Sequence, residues 1–315
     1  MQLLAIVVNY RTAALTIEAV RSLLAALGQM PDARVIVVDN DSQDGSFEDL
    51  CRTIPAFDTD GRVTIVASPL NGGFGYGVNV GVRHGLSAPS PPSHFYLLNS
   101  DAFPAPSAVS ELIAFFERHP QAGIAGSHIH GTDGEPHKTA FRFPSMLSEV
   151  ERALRLGVAS KVLARWRVPM PAPEGDCEVD WVAGASMLIR REVFEKIGLF
   201  DERFFLYFEE TDFCRRAKLA GFSTHYVCSS KVAHVGSAST GLSDYKRRMP
   251  RYWFDSRRHY FRKNHGEAYL TATDLLFVLG FSLWRARRVV QGKPDLDPPS
   301  LLPDFIRHSL RARFA

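Results

Sequence analysis

The chain has 315 residues, 45% of them hydrophobic and 23% charged, which excludes a disordered or fibrous protein and allows one large α/β domain or a domain with an appendage. Its four cysteines (Cys51, Cys177, Cys214 and Cys228) form no C-x-x-C pair, which argues against a zinc ribbon or a disulfide framework and for a reducing cytosol. The formal charge of +3 conceals an asymmetry: residues 241–315 carry 15 Lys/Arg against 7 Asp/Glu, so the residues before them sum to about −5.

The first element is the apolar run Leu3–Val8. It has no basic n-region and no small-residue cleavage site, so no secretory signal is expected and the cytoplasm is the expected compartment. Ala5–Val8 and Val35–Val38 read as strands. Between them Leu15, Val20, Leu23, Leu24 and Leu27 fall at helical spacing, which makes a βαβ unit and implies a parallel sheet. Val63–Ala67 is a third strand, Asn79–Leu86 the helix after it, and His94–Leu98 a fourth strand. Pro104 and Pro106 then mark a turn, followed by a helix over Ala108–Arg118 and a strand near Gly123–Ser127. Val168–Glu174 is a Pro-rich loop. Past Gly241 the chain turns to long, basic, aromatic-rich helices.

Polar clusters follow the carboxyl ends of these strands: Asn9-Tyr10-Arg11, Asp39-Asn40-Asp41, Asn71-Gly72-Gly73-Phe74 and Asn99-Ser100-Asp101. Ligands of open α/β sheets bind in the crevice at such ends. Asp39 with the Ser and Gly that follow can bind a base or ribose, or simply form an Asx-turn and helix cap. The stretch Asn71–Asn79 is rich in glycine without the G-x-G-x-x-G spacing. A phosphate cradle at a helix start and a ligand-free turn are its two readings. Asp101 at a strand tip suits a hard divalent cation bridged to a diphosphate, with a helix cap as the competing role. Glu209, Glu210 and Asp212 follow the apolar run Phe204–Phe208, where burial raises a carboxylate pKa and readies it to take a proton.

Taken in order, these segments resemble the family-2 glycosyltransferases of GT-A fold, nearest their rhamnosyltransferase-like branch, over roughly residues 3–240. The resemblance implies an α/β, Rossmann-like, mostly parallel sheet flanked by helices. A glycosyltransferase domain over 1–240 would divide into a nucleotide-sugar half (1–101) and an acceptor and catalytic half (102–240), with a basic helical extension over 241–315. It implies that Asn9, Tyr10, Arg11 and Asp39 grip the nucleotide, and that Asn71, Gly73, Phe74 and Asn79 line the diphosphate. Asn99-Ser100-Asp101 matches the family's Asp-x-Asp motif, with Asp101 holding Mg2+ or Mn2+ and His234 completing the metal shell. Trp181, Gly184 and Ala185 match the acceptor-side wall, joined there by Glu209. Glu210 falls on the catalytic base position, usually Asp, with Asp212 and Glu209 as alternative bases.

The implied reaction is an inverting, metal-dependent sugar transfer. The donor it favours is dTDP-rhamnose and the acceptor a glycan or lipid-linked hydroxyl, in bacterial cell-surface polysaccharide synthesis. The tail sets Lys246–Arg248, Arg257-Arg258, Arg262-Lys263 and Arg285–Arg288 around the apolar segment Ala268–Trp284. That segment is marginal for spanning a bilayer, so the choice is between an interfacial helix on an anionic membrane surface at the cytoplasmic face of the inner membrane and a helix packed on the catalytic domain. No nucleic-acid signature is present, and a homodimer is one option the sequence leaves open. Two rival readings are a nicotinamide-dependent sugar-nucleotide oxidoreductase, opposed by the glycine-free turn Asn9–Thr12, and a non-catalytic carbohydrate-binding protein of the same fold.

Overall fold

The computed structural model describes residues 2–28, 30–236 and 247–314. The expected boundary at 240/241 and Lys246 lie outside the described residues. The first half alternates strand and helix: β1 (Leu3–Asn9), α1 (Ala13–Ala26), β2 (Arg34–Asp39), α2 (Ser46–Thr53), β3 (Val63–Ala67), α3 (Phe74–Leu86) and β4 (His94–Asn99). The middle holds β5 (Ala102–Pro104), α4 (Ala108–Arg118), β6 (Ala122–His130), β7 (Ala140–Phe141), α5 (Met146–Leu154) and α6 (Gly157–Val162). Then come β8 (Cys177–Val179), β9 (Trp181–Val182), β10 (Ser186–Arg190), α7 (Arg191–Ile197), α8 (Glu209–Leu219) and β11 (Ser223–His234). Three helices close the chain: α9 (Arg251–His265), α10 (Glu267–Val290) and α11 (Leu301–Phe314).

Among the described residues nine strands form one sheet, ordered β3-β2-β1-β4-β10-β6-β11-β5, with β8 also on β11. Strands β3, β2, β1 and β4 are parallel, and β10 enters antiparallel between β4 and β6. The fully buried β1 alternates between two layers. Leu3, Ala5 and Val7 face the core shared with α1 and α4, while Leu4, Ile6 and Val8 face the core shared with α3, α7 and α8. Register aligns Asn9 with Asp39 and Val8 with Asn99, so the polar tips of β1, β2 and β4 emerge at one sheet edge.

Two local expectations change. Pro104 ends strand β5 rather than a turn, on the sheet's outer edge where a missing N–H costs no ladder bond. Helix α3 starts at Phe74, not Asn79, and takes the glycine-rich stretch into its first turns. The reason is close packing: a Cβ at Gly77, Gly81 or Gly85 would lie only 2.7, 2.7 and 2.5 Å from the side chains of Val8, Ile6 and Leu4. Glycine every fourth residue lets α3 lie directly on β1.

The basic tail packs on α5. Phe254, Phe277, Phe281, Leu301 and Phe305 form one cluster with Ala153 of α5. At its heart Arg257, 2% exposed, bonds Glu149 of α5 at 2.7 Å and Asp274 of α10 at 2.6 Å. Burial pushes Glu149 up, but Arg152 and Arg257 outweigh it and hold the carboxyl at about 2. Among the described residues no helix is long and apolar enough to cross a membrane.

Candidate active site

The first part of the site is the tip of β1 and β2. The Asn9 side chain, fully buried, donates through Nδ2 to Asp39 Oδ1 (2.7 Å) and Ser42 Oγ (3.2 Å). Its Oδ1 accepts from Thr16 Oγ1 (2.7 Å) and from the Thr12 N–H and Oγ1. Every polar atom of Asn9 is therefore engaged within the fold, so it shapes the floor of the site and leaves recognition to its neighbours. Asp39 accepts from the Ser42 N–H and hydroxyl and lines a cavity of about 380 Å³ with Asp41, Ser42, Gln43 and Ser68. Arg11, Asp41 and Gln43 around this tip all sit in the left-handed region, at φ of 56°, 57° and 53°. Such strain persists where surrounding contacts enforce it, and it gathers at binding sites. Arg11 reaches Ser42 O through Nε (3.0 Å) and lies 5.2 Å from the Tyr10 ring, so Tyr10 and Arg11 form one side of the same mouth.

The Asn71–Asn79 stretch is a joint between elements. Asn71 Oδ1 accepts from Asn40 Nδ2 (3.0 Å) and from the Gly73 N–H, and Asn40 also donates to Gly73 O. Gly73 is at φ 89°, and a Cβ there would collide with Phe205 O. The Phe74 N–H donates to that same Phe205 carbonyl at 3.1 Å. Asn79 is fully buried and clasps the same loop, bonding Phe200 O and Glu202 Oε1 through Nδ2 and the Phe200 N–H through Oδ1. The expectation that Asn79 lines the diphosphate is corrected accordingly: its carboxamide is used in tying α3 to residues 200–202. The dinucleotide-cradle alternative loses its ground too, because Gly77, Gly81 and Gly85 face β1 and Gly75 faces Phe200 and Glu209.

At the tip of β4, Asp101 is 5% exposed. Its Oδ1 lies 3.0 Å from His234 Nε2, and Asn99 Nδ2 lies 3.3 Å from the same nitrogen. The contact crosses 133 residues and is made by β11 running beside β5, which sets His234 opposite Ala102. Ser100 is buried and its hydroxyl lies 3.1 Å from Thr12 Oγ1, tying this tip to that of β1. Among the described residues no group of three or more His, Cys, Asp or Glu gathers to hold a metal. One carboxylate oxygen and one imidazole nitrogen still make a donor set that fits Mn2+ or Mg2+ when diphosphate and water complete the shell.

The third part is the start of α8. Tyr207 and Phe208, at φ 68° and 69°, form a strained left-handed turn that presents the helix. Glu209 and Glu210 each have a buried Oε2 without a hydrogen-bond partner among the described residues. Burial pushes Glu210 up while the N–H groups of Glu210 and Gly184 draw it back. Burial, then the charge of Glu210, pushes Glu209 higher still. A Cβ at Gly184 would stand 3.0 Å from the Phe74 ring and 4.0 Å from Glu210 Oε1, so Glu210, Gly184 and Phe74 converge. Glu209 turns instead toward Gly75 at the start of α3.

Asp212 is corrected from an alternative base to an anchor. It is fully buried, and its Oδ2 accepts from Arg216 Nε (2.9 Å) and Lys263 Nζ (2.7 Å). Asn264 Nδ2 donates to its Oδ1. Both of its oxygens are thus taken up by partners inside the fold. Sequence reasoning missed Lys263 and Asn264, which lie 51 and 52 residues from Asp212 and carry no local motif. Asp201 belongs to the same latch: against the upward push of burial, bonds from Arg203, His259 and Lys263 hold it well below the usual carboxylate range.

The segment Trp181–Ala185, expected to form the acceptor-side wall, lies between these parts. Trp181 stacks on Phe141 at 4.0 Å and donates through Nε1 to Arg142 O, which fixes the β7–β9 ribbon. Ala185 O accepts the Asn99 N–H, while Gly184 before it stands beside the Glu210 carboxyl. Two consecutive residues thus border both the β4 tip and the buried carboxylate.

Residues 2–256 match the family described as "Glycosyltransferase like family 2". The chain is 29% identical over 216 residues to the N-acetylglucosaminyl-diphospho-decaprenol L-rhamnosyltransferase of Mycobacterium tuberculosis (strain ATCC 25618 / H37Rv), covering 66% of this chain and 68% of that one. It is 27% identical over 164 residues to the rhamnosyltransferase WbbL of Escherichia coli (strain K12), covering 51% and 60%. Among solved structures, the mannosyltransferase PcManGT from Pyrobaculum calidifontis, in complex with GDP-Man and Mn2+, aligns over 98% of this chain and 80% of its own, with a TM-score of 0.58 at 15% identity. At that identity the likeness speaks for the fold.

Proposed function

The chain belongs to glycosyltransferase family 2, with a GT-A fold, and on that footing we propose that it moves rhamnose from dTDP-rhamnose to a hydroxyl of a glycan or lipid-linked acceptor. The single observation that supports this reading is the Gly184-Ala185 step: Gly184 stands beside the buried Glu210 carboxyl, and Ala185 O accepts the N–H of Asn99, two residues before Asp101. The two rhamnosyltransferase relatives favour the donor, and the lipid diphosphate in the name of the mycobacterial relative favours a lipid-linked acceptor of a cell-surface polysaccharide.

In this reading the β2 tip, with Asp39, Asp41 and Ser42, takes the nucleoside. Tyr10 and Arg11 flank it. Asp101 and His234 hold a divalent cation, which supplies neutralising charge to the diphosphate when bound. Glu210 accepts the proton of the acceptor hydroxyl as its oxygen attacks the anomeric carbon in line with the departing dTDP, inverting that centre. A carboxyl raised by burial is a stronger base than a solvated one, which suits this step. Trp181 and Gly184 form the wall against which the acceptor lies, and residues 102–236 supply most of that side.

The direct test is thermal shift of the protein against nucleotide sugars with and without Mn2+. Binding to the folded state alone at a hundred times Kd raises stability by about 2.7 kcal/mol. A larger rise with dTDP-rhamnose than with UDP- or GDP-linked sugars, and only with the cation, is expected. An equal rise with every nucleotide sugar would remove rhamnose from the proposal, and none at all would remove the enzyme reading.

A further inference from the structure

A second cavity, of about 650 Å³, opens where α5 passes into α6, and Arg152, Arg155, Lys161 and Arg167 line it with Glu151 and Ser160. The three arginines pair with Glu149, Asp297 and Glu151, yet their side chains stay 41%, 41% and 49% exposed toward the opening. Lys161 is exposed as well. On α6, which lines this cavity, stand apolar side chains that no described residue covers. Val158 and Val162, one turn apart on α6, are 71% and 69% exposed, and Leu156 just before them is 41% exposed.

Helix α10 adds to the same surface. Its stripe of positions 269, 276, 280, 283 and 287 follows helical spacing. Three of these touch α5 directly: Tyr269 Oη accepts the Met146 N–H, Gly280 abuts Ala153 and Leu154, and Arg287 donates to Leu154 O and Arg155 O. The remaining two, Leu276 and Leu283, are 38% and 61% exposed and therefore flank α5 in the open. Apolar side chains and cations together thus line the seam between catalytic domain and tail.

We propose that this seam docks the protein on an anionic lipid bilayer. The valines of α6 and the leucines of α10 enter the headgroup boundary while the cations of the cavity meet lipid phosphates. Protruding apolar residues rimmed by Lys and Arg are the pattern of a helix that lies on a membrane rather than crossing it. The sign of the cavity selects an anionic surface. The place also differs from what the tail's charge alone suggests, because Arg257, Arg258 and Arg288 are 2%, 12% and 10% exposed and bond carboxylates within the fold. The docking surface stands on these contacts and does not depend on the identity of the donor sugar.

Flotation of the full chain with vesicles of phosphatidylcholine, with and without phosphatidylglycerol, tests the proposal. Flotation is expected only with phosphatidylglycerol and is expected to weaken with added salt. The pair Val158→Asp and Val162→Asp should abolish it, and Lys161→Ala should weaken it roughly fivefold. Arg251→Ala, at an 88%-exposed cation of α9, should leave it unchanged. Circular dichroism and nucleotide-sugar hydrolysis unchanged in these variants separate lost docking from lost folding or lost catalysis. Wild-type protein that ignores anionic vesicles, or a valine pair that floats as well as wild type, overturns the proposal. Binding of inorganic pyrophosphate without vesicle binding would overturn it in favour of a small-anion site.

Discussion

The tips of β1 and β2, where the nucleotide is proposed to bind, and helix α8, which carries the proposed base, hold their polar groups by different means. In the nucleotide half the contacts join adjacent strand tips: Asn9 to Asp39 and Ser42, and Asn40 to Asn71. Each is a neighbour relation set by parallel register. Helix α8 packs Phe213, Cys214 and Ala217 into the sheet's core and bonds Ile197 O and Leu199 O through Arg216. The tail adds a distant hold, through Lys263 and Asn264 on Asp212, His259 and Lys263 on Asp201, and Ser256 on Leu206 O. The difference teaches that the C-terminal helices brace the turn from which Glu210, the proposed base, projects.

The comparison can be broken most severely at the base itself. Glu210→Gln keeps shape and hydrogen-bonding capacity but cannot take a proton, so kcat for sugar transfer should fall by roughly 10²–10⁴ with little change in melting temperature. Rates near wild type would return the base role to Glu209. Next comes the latch. Lys263→Met removes one cation from a fully buried carboxylate that keeps Arg216, and should cost roughly 3 kcal/mol by urea denaturation. If the tail braces α8, kcat falls as well while the KM for donor holds, because the nucleotide tip takes no contact from Lys263. A parallel rise in donor KM would mean that the two regions are not separable.

Acid gives the mildest test. Glu149 lies at about 2 in the fold against 4.5 for a free side chain. Between those values the unfolded chain binds the extra proton, so its contribution to stability is intact above about 4.5 and fades as pH falls toward about 2. The tail should therefore loosen first on acidification. Tryptophan emission, with Trp253 and Trp284 both in the tail, would report it before the far-ultraviolet signal of the sheet declines. Coincident transitions would show that the tail and sheet unfold as one unit.

Much of the fold was legible because a buried parallel sheet writes itself as short apolar runs separated by helical periodicity, as Val35–Val38 and Leu15–Leu27 show. Val63–Ala67 and Ala108–Arg118 match the observed elements residue for residue. The glycine-rich stretch misled because the requirement for a small residue is the same whether a phosphate or strand β1 approaches the backbone. Only the packing of α3 distinguishes them. Asn79 failed for a related reason: a carboxamide that binds a loop and one that binds a ligand carry the same letter.

By itself the sequence determined the alternation of strand and helix, the polar residues at each strand tip and the carboxylates after Phe208, since these follow from local hydrophobic pattern. Tertiary structure alone decided which carboxylates Lys263 and Arg216 engage and which strand tip meets His234. It also decided where exposed valines and cations come together. Those outcomes depend on groups such as Lys263 and Asp212, 51 residues apart, brought into one low-dielectric place where a single ion pair changes what a side chain can do.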